Sequence, residues 1–152
     1  MAPAGPPGAA LRSSVAYDTT HSREPGPAVD LLAKANDHRR KKQYRRALNA
    51  YLEVIELHPG SRQAEAARVA AAALRLEHLS DANGAAEHYR AAASGQGQLG
   101  EEAAYGLAEA HRAAGRHDAE RQQLHRFLDQ YPTSPLAATA RLRLRELERH
   151  EK

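Results

Sequence analysis

Nine histidines are the first residues in this sequence that could do chemistry, and metal binding is the chemistry they would do. A zinc site on a helix needs two imidazoles four residues apart and a third ligand close by. No histidine pair meets that spacing with an acidic third ligand, and no HExxH occurs. His111, His117 and His125 straddle an expected turn, while His38 and His111 fall on core-facing positions where a half-buried ring suffices. Cysteine is absent, which removes thiolate catalysis, disulfides and cysteine-ligated zinc. There is no nucleophile elbow, P-loop or GxGxxG. The one glycine-rich piece, SGQGQLG at 94–100, follows a helix instead of opening one after a strand, so it reads as an interhelical loop. No catalytic set is present. The expectation is a protein that is not an enzyme and carries no cofactor or metal.

The other candidate is electrostatic. HRRKKQYRR at 38–46 places six bases in nine residues around a turn. A charge block at a turn is ordinarily a solvated surface, and it can also dock an acidic partner, anionic lipid or nucleic acid. Against nucleic acid, no second basic stripe runs beside it and the nearby aromatics are core candidates. The formal net charge of +3 is too mild to imply a polyanionic partner by itself.

These residues sit on helices. Ala, Leu, Arg, Glu and Gln dominate residues 28–152, and no run alternates apolar and polar as a strand would. The sequence predicts an all-α fold. In YRRALNAYLEVIELHP (44–59), Tyr44, Ala47, Tyr51, Val54 and Ile55 form one helical stripe that stops at Pro59. A preceding helix carries Leu31, Ala35 and His38. The design then repeats: 61–78 followed by AAEHYRAAA, and 101–114 followed by 117–131. Gly115 is the expected left-handed turn residue, and Ser134-Pro135 is expected to start a last helix over 135–150. Its stripe of Leu136, Ala140, Leu144 and Leu147 suits a terminal cap. The four residues Arg62–Glu65 are expected to lengthen the third helix by a turn. Residues 1–27, rich in Pro and Gly, read as a disordered tail or linker. No apolar run reaches the ~20 residues that span a bilayer, and the N-terminus lacks a signal-peptide core. A cytoplasmic location is expected as written, or a periplasmic one if the chain is part of a longer membrane protein.

Paired helices recurring every 35–38 residues indicate a solenoid. On Ala35, Ala47, Tyr51 and Pro59, then Ala73, Ala85, Tyr89 and Ala92, then Ala108 and Pro132, the chain resembles the tetratricopeptide repeat family. It departs from the pattern at Gly97, where a proline is usual, and at Glu120, where Ala47 and Ala85 stand in the first two repeats. The resemblance implies a right-handed superhelix of three repeats (28–61, 66–99, 101–134) plus the capping helix. It also implies a concave groove that binds a peptide or helix of a partner protein. Carried over residue by residue, the groove comprises Val29, Leu32, Asn36, Arg39 and Arg40, then Ala67, Ala70, Leu74, Glu77 and His78, then Glu102, Tyr105, Glu109, Arg112 and Ala113. Only Asn36 matches the carboxylate clamp of chaperone-binding relatives, which argues against that ligand. The ending YPTSPLAATARLRLRELE is similar to repeats of bacterial envelope proteins and of FecR-type anti-sigma regulators. That likeness implies an envelope or regulatory assembly as the setting.

Overall fold

The computed structural model describes residues 26–95 and 97–149. The expected tail lies outside the described residues as far as residue 25, and Pro27, counted with it, instead opens the first helix. Among the described residues there are seven helices and no strand: α1 (Pro27–Arg40), α2 (Tyr44–Leu57), α3 (Arg62–His78), α4 (Ala82–Ala93), α5 (Gly100–Ala113), α6 (His117–Gln130) and α7 (Ala137–Arg149). Each helix packs on its neighbour in sequence, and α1 also touches α3 as α3 touches α5. The first helices of the three pairs therefore stack along one side.

Local chemistry explains the boundaries. Pro27 supplies the fixed φ suited to a first helical position. Ser61 and Asp81 cap α3 and α4, their side chains accepting from the backbone N–H groups of Ala64 (3.0 Å) and Gly84 (2.8 Å). The turn after each first helix carries one left-handed residue: Lys42 at φ 57°, Ser80 at φ 54° and Gly115 at φ 69°. Only Gly115 adopts that conformation without steric cost, as its type predicts.

Some boundaries differ from expectation. α7 begins at Ala137 and not at Pro135. Ser134 Oγ accepts from the Leu136 N–H at 3.0 Å, and its carbonyl from the Ala137 N–H at 3.0 Å, so a tight turn precedes the helix. Gly97 does not end α4, which stops at Ala93. The longer α3, 17 residues against 14 for α1, does contain the extra turn. Within that turn Glu65 Oε1 accepts from the Leu99 N–H at 3.1 Å, just ahead of α5. A carboxylate there satisfies an orphan donor and complements the helix dipole.

The core is divided into three successive clusters. Ala35, Ala47, Tyr51, Val54 and Leu74 belong to the first, Val69, Ala85, Tyr89 and Leu107 to the second, and Leu124, Phe127, Ala140, Leu144 and Leu147 to the third. Alanine supplies much of the buried surface, so the helices must approach closely to exclude water. A close approach of this kind is at Gly106, where an added Cβ would lie 2.6 Å from the Tyr89 ring. Tyr51 shares its cluster with buried Ala71, and Leu124 with buried Ala140, at matching places in the array.

Glu120 is the exception. It is 1% exposed, and Arg143 of α7 grips it with Nε to Oε1 at 2.6 Å and Nη2 to Oε2 at 3.1 Å. Arg143 also donates to Glu146 at 3.1 Å, and His117 lies 3.3 Å from Glu120. Burial pushes the Glu120 pKa up, but the Arg143 guanidinium and His117 outweigh it and hold the carboxyl below its ordinary 4.5. The departure noted at this position is thus the anchor of the cap.

Two predictions follow from this packing. Gly106→Ala is expected to destabilise by about 1–3 kcal/mol through overpacking, despite a helix-propensity gain of about 1 kcal/mol; urea denaturation measures the sign. Arg143→Ala strands a buried carboxylate and is expected to cost about 3–5 kcal/mol, whereas Glu120→Ala combined with Arg143→Leu costs less. Because the folded pKa of Glu120 is depressed, the pair stabilises fully above pH 4.5 and loses its contribution as pH falls below it. Thermal melts of wild type and Arg143→Ala should differ at pH 7 and converge as pH falls through the depressed pKa of Glu120.

Candidate partner-binding groove

The stacked first helices present one continuous face. On α1, Asn36 is exposed and its Oδ1 accepts from the Tyr51 hydroxyl at 2.6 Å. One turn on, Arg39 Nη2 lies 3.8 Å from Glu77 Oε2 on α3, which joins two repeats across the face. Both side chains are substantially exposed, so this pair contributes at most about 1 kcal/mol. His78 stacks on Tyr44, with ring centroids 4.0 Å apart and planes 6° from parallel. On α5, Tyr105 is half-buried and meets Phe127 edge-on at 5.4 Å, while Glu109 and Arg112 are exposed.

The expected groove set is only partly assembled. Asn36, Arg39, Glu77, His78, Tyr105, Glu109 and Arg112 all present polar or aromatic atoms to solvent. Leu32 is half-buried and packs against the first core cluster. Leu74 does not line the groove: it is 0% exposed within that cluster, as is Ala67. The central helix α3 has neighbours on every flank, and a large apolar side chain there turns into the core. Arg40 bonds to Asp37 on its own helix at 3.3 Å instead of reaching across to α3.

Tyr89 is buried in the second core cluster, with Glu109, Glu77 and Glu102 near enough to act on its phenol. The ring tip rests on Gly106, between Glu102 one turn earlier and Glu109 one turn later. Burial, with the carboxylates of Glu109, Glu77 and Glu102 acting in the same direction, pushes the phenol pKa up to about 12. Although Glu109 is exposed as a residue, partial desolvation of its carboxyl raises its pKa, with Arg112 opposing the effect and Glu77 adding to it. The middle of the face is therefore acidic. The spacing of Glu102, Gly106 and Glu109 on one helical stripe carried that signal in the sequence.

The basic cluster partly neutralises itself. Asp37 holds Lys41 at 2.7 Å and Arg40 at 3.3 Å, and these two hydrogen bonds keep its carboxyl below the ordinary range. Arg39 faces Glu77 and His38 Nδ1 bonds to Gln43 Oε1 at 2.7 Å. Lys42, Arg45 and Arg46 are left exposed. Among the described residues, no group of three His, Cys, Asp or Glu could hold a metal ion. None of the described helices is long and apolar enough to cross a membrane.

The raised pKa of Glu109 means that its ionised form weakens the fold relative to the unfolded chain, where the ordinary value is 4.5. The penalty is absent below that value and present once pH rises through the folded one. Because Glu109 is exposed and solvent screens its charge, Glu109→Gln is expected to raise Tm only slightly at pH 7 and leave it unchanged at pH 3, as differential scanning fluorimetry would show.

Residues 102–134, which cover α6 and nearly all of α5, match the family model of the tetratricopeptide repeat. A comparison with curated proteins finds no match. Repeats of this family generally mediate protein–protein interaction and are typically non-catalytic. The match supports the tetratricopeptide repeat family, and the seven packed helices among the described residues make the fold an all-α, tetratricopeptide-like helical repeat.

Proposed function

We propose that this protein is a non-enzymatic interaction module that takes an extended or helical segment of a partner along the stacked faces of α1, α3 and α5. The observation that carries this reading is the continuity of that face, with Arg39 meeting Glu77 across two repeats and Tyr105, Glu109 and Arg112 extending it. A half-buried aromatic among charges of both signs suits a partner that brings one apolar anchor and basic residues for Glu102 and Glu109. The resemblance of the C-terminal repeat to envelope and anti-sigma regulator repeats makes a bacterial envelope or regulatory assembly the proposed setting.

A second reading, docking of nucleic acid or anionic membrane through 38–46, now rests on Lys42, Arg45 and Arg46. Gel-shift and liposome assays with those three neutralised separate it from the first.

The test is crosslinked capture from the native cell with mass spectrometry, comparing wild type with Tyr105→Ala and Glu109→Lys. Loss of the same specific partner in both variants, with helical circular dichroism unchanged, is the expected result; undiminished capture by both would sink the groove assignment. Leu74→Ala is the wrong probe, because emptying a buried leucine site costs about 2–5 kcal/mol and confounds binding with unfolding.

A further inference from the structure

The side of α5 turned away from the groove borders a separate cavity of about 270 Å³, lying between α4 and α6. Arg90 and Ser94 from the end of α4, His111 from α5, and Gln122, Arg126 and Gln130 from α6 line it, and no carboxylate does. Arg90 and Arg126 are both exposed, and neither has an ion-pair partner among the described residues. His111 is 7% exposed and its buried Nδ1 has no hydrogen-bond partner. The equivalent imidazole of the first repeat is satisfied, since His38 Nδ1 meets Gln43 Oε1 at 2.7 Å. The third repeat has Arg116 in place of Gln43, a group with only donors, which bonds instead to Asn83 Oδ1 at 2.6 Å. A leftover polar atom of this kind costs about 1–3 kcal/mol. Here it sits beside an open cavity bordered by two arginines that have no carboxylate partner.

We propose that this cavity binds a dianionic phosphate group, clamped between the guanidiniums of Arg90 and Arg126. Gln122 and Gln130 supply neutral donors around it, while the Ser94 hydroxyl is committed to the Ala91 carbonyl at 3.0 Å. Guanidinium forks match the oxygens of phosphate bidentately. A phosphate has acceptors left over for the amide groups after two such contacts, whereas a carboxylate's two oxygens are used up. The charges facing His111 are Arg90 on α4, Arg116 in the following turn and Glu120 on α6. Burial lowers its pKa first, the two arginines push the same way and Glu120 opposes them. An anion against Arg90 offsets that repulsion, so the imidazole titrates higher when the site is filled.

Nuclear magnetic resonance titration of the full chain tests this at constant ionic strength. The probes are inorganic phosphate and an O-phosphoserine peptide, with acetate and chloride as controls. Saturable shifts confined to Arg90, His111, Arg126 and their neighbours are expected, with a higher His111 pKa in phosphate than in chloride. Arg90→Ala with Arg126→Ala should weaken binding by about tenfold or more, while Arg45→Ala with Arg46→Ala should not. Tighter binding of the phosphopeptide assigns the phosphate to a larger molecule, and tighter binding of the free ion assigns it to solution; both support the site. Non-saturating shifts, shifts shared equally with Lys42, Arg45 and Arg46, acetate binding as tightly as phosphate, or unchanged binding in the double variant would each overturn it. Both arginines are exposed, so the variants keep the fold.

Discussion

A ring seated on a glycine sets the geometry of the middle of this molecule. Tyr89 of α4 lies so close to Gly106 of α5 that no side chain fits between them. The pairs Tyr51 with Ala71 and Leu124 with Ala140 repeat the arrangement on either side. Helix-breaking tendency at Gly106, about 1 kcal/mol relative to Ala, is tolerated because it lets an aromatic ring bury against backbone. With the second helices held at that distance, the first helices are forced into register with one another. Arg39 can then face Glu77, and Glu102 and Glu109 come to flank the Tyr89 phenol. The core contact and the acidic cluster meet on one side chain.

What was legible in the sequence follows a physical pattern. Features set by neighbours within a turn or two could be read directly: helix pairs from apolar stripes, the left-handed Gly115, the lengthened α3 and the closing stripe of α7. Features set by distant partners could not. Leu74 looks like its counterparts Asn36 and Glu109 when repeats are aligned, but those stand on helices with fewer or smaller neighbours. Glu65 gives no local hint that it will cap a loop beyond α4. Pro135 is a good first helical residue by type, yet the Ser134 hydroxyl commits the preceding N–H groups to a turn. Glu120 was visible as an anomaly, and only Arg143 explains it.

Charge shows the same divide between composition and arrangement. The run at 38–46 reads as a strongly positive spot, but Asp37 and Glu77 absorb much of it. The groove, which carries no acidic run in sequence, acquires an acidic centre because α3 and α5 bring Glu77, Glu102 and Glu109 towards one phenol. On the far side of α5 the opposite happens, and Arg90 and Arg126 border one cavity without a carboxylate between them. A single helix thus separates two surfaces of contrasting sign.

The Glu120–Arg143 pair bears on something beyond the stability of one molecule. A solenoid grows by presenting at its end the surface on which another unit could stack, and identical chains stacked head to tail would make an open filament. Counting α7 as the opening helix of a fourth unit from residue 135, Arg143 stands where α1 has Asn36. An α1 from another copy would set the Asn36 amide there in place of the Arg143 guanidinium, leaving buried Glu120 without its counter-ion at that position. A buried carboxylate without its counter-ion is costly enough to reject that contact. Among the described residues Glu120 is the one acidic group in the core, and it makes the seat of α7 selective for a helix that brings a cation.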